Sequence, residues 1–257
     1  MPPQRVRWVR PGPAPLRDTA AVLALRGDGR CLRVGHRGAA AVAAENTLRS
    51  LAAAVDAGAD IVELDVVAAD GKLVLGHSPR ELPRELATLD EAFAALAPHD
   101  VGVHVDVKCR GSEEGIAAAI RRHGLERRTY ASAFWPATLR RLGELVPEVP
   151  RALSYPEDRA GISRSRALGP LTLAGAAALR VALPRRIERM LAFADARIAA
   201  LHFAVVSRAV VERCHALDVP VLVWTVDDPA RARRLDALGV DAIVSNDPET
   251  LRATLRT

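Results

Sequence analysis

The chain alternates short apolar segments with helical segments of about ten residues, from Leu32 almost to its last residue. Residues Asp60–Val67 (DIVELDVV) are typical of a strand, whereas the preceding segment Thr47–Ala57 has apolar residues at helical spacing. Strands that alternate with helices pair in parallel through right-handed crossovers. The alternation therefore predicts an α/β protein with about eight β/α units, with Lys72–His77 counted among the strands.

Two architectures fit this alternation, a closed (β/α)8 barrel and an open doubly wound sheet. An open sheet that binds nucleotides usually has a G-x-G-x-x-G turn after its first strand, but the turn here is Gly35-His-Arg-Gly38. Polar residues end several predicted strands, as the catalytic face of a barrel requires. We favour a single TIM barrel over residues 19–257, preceded by a Pro- and Arg-rich tail or edge decoration at residues 1–18.

Composition excludes several classes of protein. The three cysteines are far apart, which excludes a disulfide scaffold or a zinc finger and suits a reducing compartment. No apolar run reaches eighteen residues and the first residues lack the apolar core of a signal peptide, so we expect a cytoplasmic protein without stable membrane insertion. The net charge is +5, yet the arginines are dispersed and aromatics are few, so we expect no nucleic-acid partner. The oligomeric state stays open.

A pair of carboxylates stands out on the predicted strand 60–67. Glu63 and Asp65 are two residues apart, so their side chains project from the same face. Two carboxylates buried side by side repel each other, and a divalent cation with a preference for oxygen ligands would remove that cost. For this motif alone, two solvated acids on an exposed strand face are the alternative.

A second strand, Val101–Val107, repeats the pattern. Asp106 and Lys108 share one face near its end, and Lys108 is one of only two lysines in the chain. A buried ammonium needs an anion, which either Asp106 or a bound phosphate would supply. A purely structural ion pair is the alternative. His104 lies deeper on the same face, and we expect it to fill the barrel interior.

Other strand ends supply groups suited to phosphate chemistry. His36 and His77 each follow a predicted strand, and histidine titrates near neutral pH as a general acid or base. Arg37 is able to hold a phosphate through two hydrogen bonds, and Trp224 is suited to an apolar pocket wall. Together with the carboxylates, these groups fit metal-assisted phosphoryl chemistry on a small molecule.

The ordered set of motifs resembles the glycerophosphodiester phosphodiesterase family. The family motifs HRG, ENT, E-x-D and HD correspond, in order, to the segments His36–Gly38, Glu45–Thr47, Glu63–Asp65 and His77. Further matches follow along the chain: Val105–Lys108 to an E-x-K strand, Ser132–Phe134 to an SF segment, Trp224–Val226 to WTV, and Gly239–Ile243 to GVDGI. The resemblance spans residues 32 to 250 approximately.

The resemblance implies a (β/α)8 barrel of the PI-PLC-like phosphodiesterase type. It also implies one divalent cation (Mg²⁺ or Ca²⁺, with Mn²⁺ as a further option) and hydrolysis of glycerophosphodiesters to an alcohol and glycerol 3-phosphate. In the family's usual mechanism, a substrate hydroxyl attacks first and the cyclic phosphate is then hydrolysed. By position, the implied roles are acid–base catalysis for His36 and His77, metal binding for Glu63, Asp65 and Asp106, substrate binding for Arg37, Lys108 and Trp224, and support for Glu45 and Asn46.

The sequence departs from the family pattern at several positions. Ser78 follows His77 where the family usually has Asp, and Asp106 replaces a longer Glu. Ser245–Pro248 (SNDP) replaces a T-D-x-P ending, and the segment Ser78–Leu89 is too short for the cap of larger members. These departures keep two alternatives open. One is a catalytically weakened barrel that binds phosphate compounds, and the other is a lyase that acts on lysophospholipids and leaves a cyclic phosphate.

Overall fold

Eight parallel strands close into a barrel in the computed structural model, which describes residues 30–79, 82, 86–157 and 169–255. The strands, in chain order, are β1 (Leu32–Gly35), β2 (Ile61–Ala69), β3 (Lys72–Leu75), β4 (Gly102–Val107), β5 (Thr129–Ala133), β6 (Arg151–Tyr155), β7 (Ile198–His202), β8 (Val221–Trp224) and β9 (Ala242–Ser245). The sheet order is β1-β9-β8-β7-β6-β5-β4-β2, and β1 also pairs with β2. The predicted TIM barrel is thereby confirmed, whereas the predicted tail, residues 1–18, lies outside the described residues.

Strand β3, which the prediction counted among the β/α units, is not a strand of any of them, although the predicted number of about eight is correct. It forms an antiparallel hairpin with β2, with Val66 opposite Leu75 and Ala69 opposite Lys72, and it is not one of the eight barrel strands. The turn at Asp70-Gly71 has positive φ at both residues, 49° and 73°. A two-residue turn of this kind leaves no room for a crossover helix, so the chain returns antiparallel.

Helices follow the barrel strands on the outside. They are α1 (Leu48–Asp56), α2 (Leu89–Leu96), α3 (Glu113–Arg122), α4 (Pro136–Leu145), α5 (Gly169–Ala194), α6 (Arg208–His215), α7 (Pro229–Leu238) and α8 (Pro248–Thr254). Helix α2 begins with a capping box, because Thr88 and Glu91 each accept from the other's backbone N–H. Strand β7 ends at His202, and a 3₁₀ turn (Phe203–Val205) follows it directly.

The core has two layers. One fills the barrel interior, and the other lies between strands and helices, where Leu64 and Phe93 are fully buried. The interior layer consists of Leu32, Val34, Ile61, Tyr130, Ala152, Ile198, Ala200, Leu222, Ala242 and Val244. His104 is also buried, and its ring stacks on Tyr130 at 4.3 Å between centroids, so it fills the interior as expected. Across the described ranges, no helix has the length and apolar character that crossing a membrane requires.

Candidate active site

Strand register brings the predicted carboxylates into one polar layer above the apolar interior. Ile61 belongs to the apolar layer, so Glu63 and Asp65, two and four residues further along β2, also face inward. Asp65 is opposite Asp106 on β4, which is in turn opposite Ser132 on β5. The shared face predicted for Glu63 and Asp65 is therefore present, and it points into the barrel at the carboxyl ends of the strands.

The loop after β1 bends sharply to reach this layer. Arg37 has a positive φ of 50°, and its N–H donates to Glu63 Oε2 at 2.5 Å. The next residue, Gly38, has a φ of 83° and donates its N–H to the carbonyl oxygen of Glu63 at 2.9 Å. A Cβ on Gly38 would lie 2.3 Å from the carbonyl carbon of Ser50, so only glycine fits there. The HRG segment thus folds against β2 through its backbone.

Asp65 is the centre of the cluster. Its carboxylate contacts Arg37 Nε at 2.9 Å, Lys108 Nζ at 3.1 Å, Asn46 Nδ2 at 3.1 Å and His77 Nδ1 at 3.2 Å. Burial alone would raise the pKa of Asp65, but Lys108, His77 and Arg37 hold it well below its ordinary value. Asp65 is therefore ionised, and five residues from four segments of the chain meet at one carboxylate.

Three carboxylates offer a binding place for a cation. Oxygen atoms of Glu63, Asp65 and Asp106 all lie within 4.8 Å of one another. Burial raises the pKa of Glu63 well above its ordinary value, and repulsion from Asp65 and Asp106 adds to the rise. A divalent cation would relieve this repulsion, and the all-oxygen set fits a hard ion such as Mg²⁺ or Ca²⁺. The shorter Asp106 therefore still reaches the group.

Lys108 supplies a fixed positive charge beside these carboxylates. Its Nζ donates to Asp106 Oδ2, while Ser132 Oγ donates to the other oxygen of Asp106 at 2.7 Å. Burial alone would lower the pKa of Lys108, but Asp106, Asp65 and Glu63 raise it above its ordinary value. Lys108 is therefore a permanent cation, held by the ion pair with Asp106 that the sequence suggested.

His36 is held by a chain of hydrogen bonds that sequence reasoning missed. Its Nδ1 lies 2.7 Å from Asn246 Oδ1, an atom that only accepts, so Nδ1 carries the proton and Nε2 is left as the free nitrogen. Asn246 donates from Nδ2 and from its backbone N–H to the two carboxylate oxygens of Asp227, at 2.7 and 2.8 Å. Ser245 Oγ donates to the same carboxylate at 2.9 Å.

His77 comes from the end of the β2–β3 hairpin and meets both charges of the cluster. Its Nδ1 lies 3.0 Å from Arg37 Nη2 and 3.2 Å from Asp65 Oδ2. A protonated Nδ1 donates to Asp65, and an unprotonated Nδ1 accepts from Arg37, so each contact suits one protonation state. Arg37 also donates to Glu45 Oε1 at 2.7 Å, which places half-exposed Glu45 at the rim.

Aromatic rings lie at the carboxyl ends of β5, β7 and β8. Trp224 meets Phe134 edge-on at 6.1 Å and His202 at 5.0 Å between centroids. Lys108 Nζ lies 5.8 Å from the centre of the Phe134 ring, which connects this wall to the carboxylates. Trp224 therefore belongs to a wall, as the sequence suggested. His202 belongs to the same wall and is a residue that sequence reasoning missed.

Two histidines, three clustered carboxylates and two fixed cations lie at the strand ends of the closed β/α barrel, and these groups are suited to phosphoryl chemistry. Comparison with known proteins agrees. A family model described as the glycerophosphoryl diester phosphodiesterase family matches residues 36–91 and 86–250. The chain therefore belongs to this family, and the enzyme class that its motifs indicate is confirmed.

Individual relatives are distant but cover nearly the whole chain. A glycerophosphodiester phosphodiesterase of Caldanaerobacter subterraneus is 26% identical over 259 residues, which cover 86% of this chain and 96% of the relative. The crystal structure of a putative glycerophosphoryl diester phosphodiesterase from Silicibacter pomeroyi has a TM-score of 0.71 and 22% identity, and it covers 91% and 96% of the two chains. An Oleispira antarctica phosphodiesterase in complex with the product sn-glycerol-3-phosphate has a TM-score of 0.69 and 22% identity, with 89% and 98% covered.

Proposed function

We propose that the protein hydrolyses glycerophosphodiesters to an alcohol and glycerol 3-phosphate, with His36 and His77 as the acid–base pair and a divalent cation at the carboxylates. The observation that carries this proposal is the meeting of Arg37, Lys108 and His77 at the single carboxylate of Asp65. Such a site is built to balance the charges of a phosphodiester. The product bound to the Oleispira antarctica phosphodiesterase supports the same substrate class.

Glu63, Asp65 and Asp106 would hold the cation. When bound, it would neutralise charge on the phosphate oxygens during the reaction. Arg37 and Lys108 bring positive charge to the same place, and both are held by carboxylates rather than by solvent. Because these groups are fixed before the substrate arrives, they stabilise the developing charge without reorganising.

His36 is the group suited to accept a proton first. Burial lowers its pKa, and the neighbouring Arg37 lowers it further, whereas the hydrogen bond to Asn246 opposes the fall. The imidazole is therefore neutral at pH 7. Its free Nε2 accepts the proton from the glycerol hydroxyl next to the phosphoester as that oxygen attacks phosphorus. Asn246 and Asp227 keep the proton on Nδ1 and so keep Nε2 available.

His77 is the group suited to give a proton to the leaving alcohol. In the attack, the new O–P bond forms and the bond to the alcohol oxygen breaks, and His77 transfers a proton to that oxygen. The products of this step are the alcohol and a cyclic glycerol phosphate. His77 then removes a proton from water as the water attacks phosphorus. His36 returns its proton to the departing ring oxygen, which yields glycerol 3-phosphate and restores both histidines.

The test is a panel of glycerophosphocholine, glycerophosphoethanolamine, glycerophosphoglycerol and a lysophospholipid, each with Mg²⁺, Ca²⁺, Mn²⁺ or EDTA. From the three glycerophosphodiesters we expect metal-dependent release of glycerol 3-phosphate that falls about 100- to 10,000-fold in His36→Ala and His77→Ala, since acid–base groups contribute about 10²- to 10⁴-fold each. His123→Ala is the matched control. That histidine pairs with Asp90 on the outside of the barrel and has no role in the site.

Each other outcome has a defined meaning. Accumulation of cyclic phosphate without glycerol 3-phosphate would replace the hydrolase with a lyase. No product on any substrate, from folded protein that binds metal and phosphate, would overturn the proposed activity and favour a barrel that binds phosphate compounds without turnover. Equal activity of His36→Ala and wild type would refute the acid–base assignment.

A further inference from the structure

Helix α5 is much longer than its neighbours, and over residues 175–194 its fully buried side chains all lie from Leu183 onwards. It has 26 residues, whereas the other helices have seven to ten. Leu183, Ile187, Leu191 and Ala194 are buried at successive turns, so the segment from Leu183 onwards covers the strands. The 14 residues from Gly169 to Ala182 add about 20 Å of helix before that segment begins.

The added half lies at the catalytic end of the barrel. Helices of a β/α barrel run antiparallel to the strands, so each begins near the carboxyl ends where the active site lies. In agreement, α5 packs against the 3₁₀ turn Phe203–Val205, which directly follows the end of β7. Leu179 and Phe203 both contact the same core cluster. The residues before Leu179 therefore extend past the catalytic rim.

An open apolar groove runs along this extension. We call it the rim groove, and it is lined by Ala177, Ala178, Val181, Ala182, Arg185 and Arg186. Val181 is 70% exposed, which is unusual for a β-branched apolar residue in the middle of a long helix. Nothing in the described part of the chain covers the rim groove.

The charged residues that line and flank the rim groove up to Ile187 are all positive, and the next carboxylate, Glu188, pairs with Arg213. Residues 169–187 include Arg180, Arg185 and Arg186 and contain no Asp or Glu. All three arginines are exposed, and no carboxylate of the described residues forms an ion pair with them. Exposed arginines beside an exposed apolar side chain complement the phosphates of an anionic lipid surface.

We propose that the rim groove docks the enzyme on an anionic lipid surface, with Val181 entering the interface and the three arginines contacting lipid phosphates. Because the rim groove lies at the catalytic end, docking would turn the active site towards the lipid. Such an orientation favours phosphodiesters held at a membrane surface, a consequence that rests on the proposed function. The docking itself requires no turnover.

Cosedimentation of the full chain with lipid vesicles tests the proposal. Wild type is expected to bind vesicles of equal parts phosphatidylglycerol and phosphatidylcholine, to bind pure phosphatidylcholine weakly, and to lose affinity as salt is raised. Each arginine near an anionic surface is worth roughly a fivefold change in partitioning. The variant Arg180→Gln/Arg185→Gln/Arg186→Gln should therefore bind about 100-fold more weakly, and Val181→Asp should also bind more weakly.

A second triple variant matches the charge change at the opposite end of the barrel. Arg121, Arg122 and Arg252 are exposed arginines in the last turns of α3 and α8, so Arg121→Gln/Arg122→Gln/Arg252→Gln also removes three charges. Its vesicle binding is expected to stay within threefold of wild type. Hydrolysis of glycerophosphocholine in solution should be unchanged in both triple variants.

Several results would overturn the proposal. Equal vesicle binding by the two triple variants would show that net charge alone drives adsorption. Absence of binding by the wild type at low salt would exclude a lipid surface. Sedimentation equilibrium that shows a dimer broken by Val181→Asp, with vesicle binding unaffected, would assign the rim groove to a contact between two copies of the chain. Vesicle binding without hydrolysis of any substrate would leave the docking supported and the proposed function refuted.

Discussion

The hydrogen bond between His36 and Asn246 provides the sharpest test of the proposed chemistry. Asn246→Leu removes the acceptor of the 2.7 Å bond at nearly constant side-chain volume. A buried N–H that loses its partner costs about 1–3 kcal/mol. The bond to Asn246 also keeps the proton of His36 on Nδ1, so its loss is expected to raise the free energy of the transition state by the same amount. The value of kcat/KM should therefore fall about 10- to 100-fold.

The pH dependence of the same variant has a definite sign. Burial and Arg37 lower the pKa of His36, and the bond to Asn246 partly offsets this fall. His36 must be neutral to accept a proton, so activity falls as pH drops through its pKa. Removing the bond lowers that pKa further, and the acidic limb of the kcat/KM profile should move to lower pH while the plateau also falls.

Exchanging the two side chains behind His36 separates charge from geometry. Asn246→Asp alone places a carboxylate where Nδ2 now lies 2.7 Å from Asp227, so the two acids repel each other. It should raise the pKa of His36, shift the acidic limb to higher pH and lower the plateau. The double variant Asn246→Asp/Asp227→Asn again has one amide donor and one carboxylate at positions 227 and 246. It should recover most of the plateau value of kcat/KM.

The assay is the kcat/KM profile of glycerophosphocholine hydrolysis from pH 4.5 to 9 for all four proteins. Ser245→Ala is the control, because it removes a 2.9 Å bond to Asp227 but leaves the amide of Asn246 in place. Its kcat/KM should stay within about threefold of wild type. An acidic limb of Asn246→Leu that moves to higher pH, or a kcat/KM within twofold of wild type, would refute the role of His36 as a base.

The remaining predictions concern the cation, buried charge and backbone. In EDTA at pH 7.5, the Glu63→Gln variant should melt at a higher temperature than wild type, because it removes the carboxylate repulsion that raises the pKa of Glu63. A divalent cation at a hundredfold excess over its Kd should stabilise wild type by about 2.7 kcal/mol, and the variant should lose this stabilisation. A wild-type melting temperature that no divalent cation raises would contradict this prediction. Burial lowers the pKa of His104 to about 4, so the free energy of unfolding in EDTA should fall by about 3 kcal/mol as pH drops from about 6.5 to 4, and urea titrations should show this loss removed in His104→Phe. Gly38→Ala should destabilise by about 3 kcal/mol in the same titrations, because its Cβ would strike Ser50, whereas Gly71→Ala, which also has positive φ but open space around it, should cost about 1 kcal/mol.

Period-two patterning is sufficient to predict much of the site. The spacing of Glu63 and Asp65 fixes a common face whichever way the strand turns, and the apolar Ile61 two residues earlier shows that this face is buried. The same reasoning places Asp106 beside them once the strands are known to be parallel neighbours. Local spacing within a strand and the order of adjacent strands therefore account for the carboxylate cluster.

The support of His36 depends on barrel closure, which local patterns do not encode. Asn246 lies about two hundred residues from His36 and meets it only because β9 pairs with β1. Asp227 ends the same predicted strand as Trp224, but nothing in its spacing indicates that it faces Asn246. The ending Ser-Asn-Asp-Pro was the available signal, since it marks a polar strand end next to the first strand.

The hairpin explains why Lys72–His77 was wrongly included among the strands of the β/α units. Lys72–His77 has the apolar character of a barrel strand, and composition does not distinguish a strand inside a barrel from one that extends a neighbour. The short turn at Asp70-Gly71 was the discriminating feature, because it fixes the direction of the strand that follows.

The same hairpin makes the short segment after His77 a suitable position for the insertion of an additional domain. Val74 pairs with Thr88, and Leu75 N–H donates to the carbonyl oxygen of Ala87, so the two ends of the intervening segment are fastened side by side. An inserted domain whose own termini are adjacent would begin and end at these two paired segments, and the barrel would stay closed. Extra length there costs little chain entropy, since the closure cost rises only with the logarithm of loop length. Substrate specificity is therefore open to change by insertion of a domain at this one position. The eight-stranded barrel and the charged residues of the active site would remain unchanged.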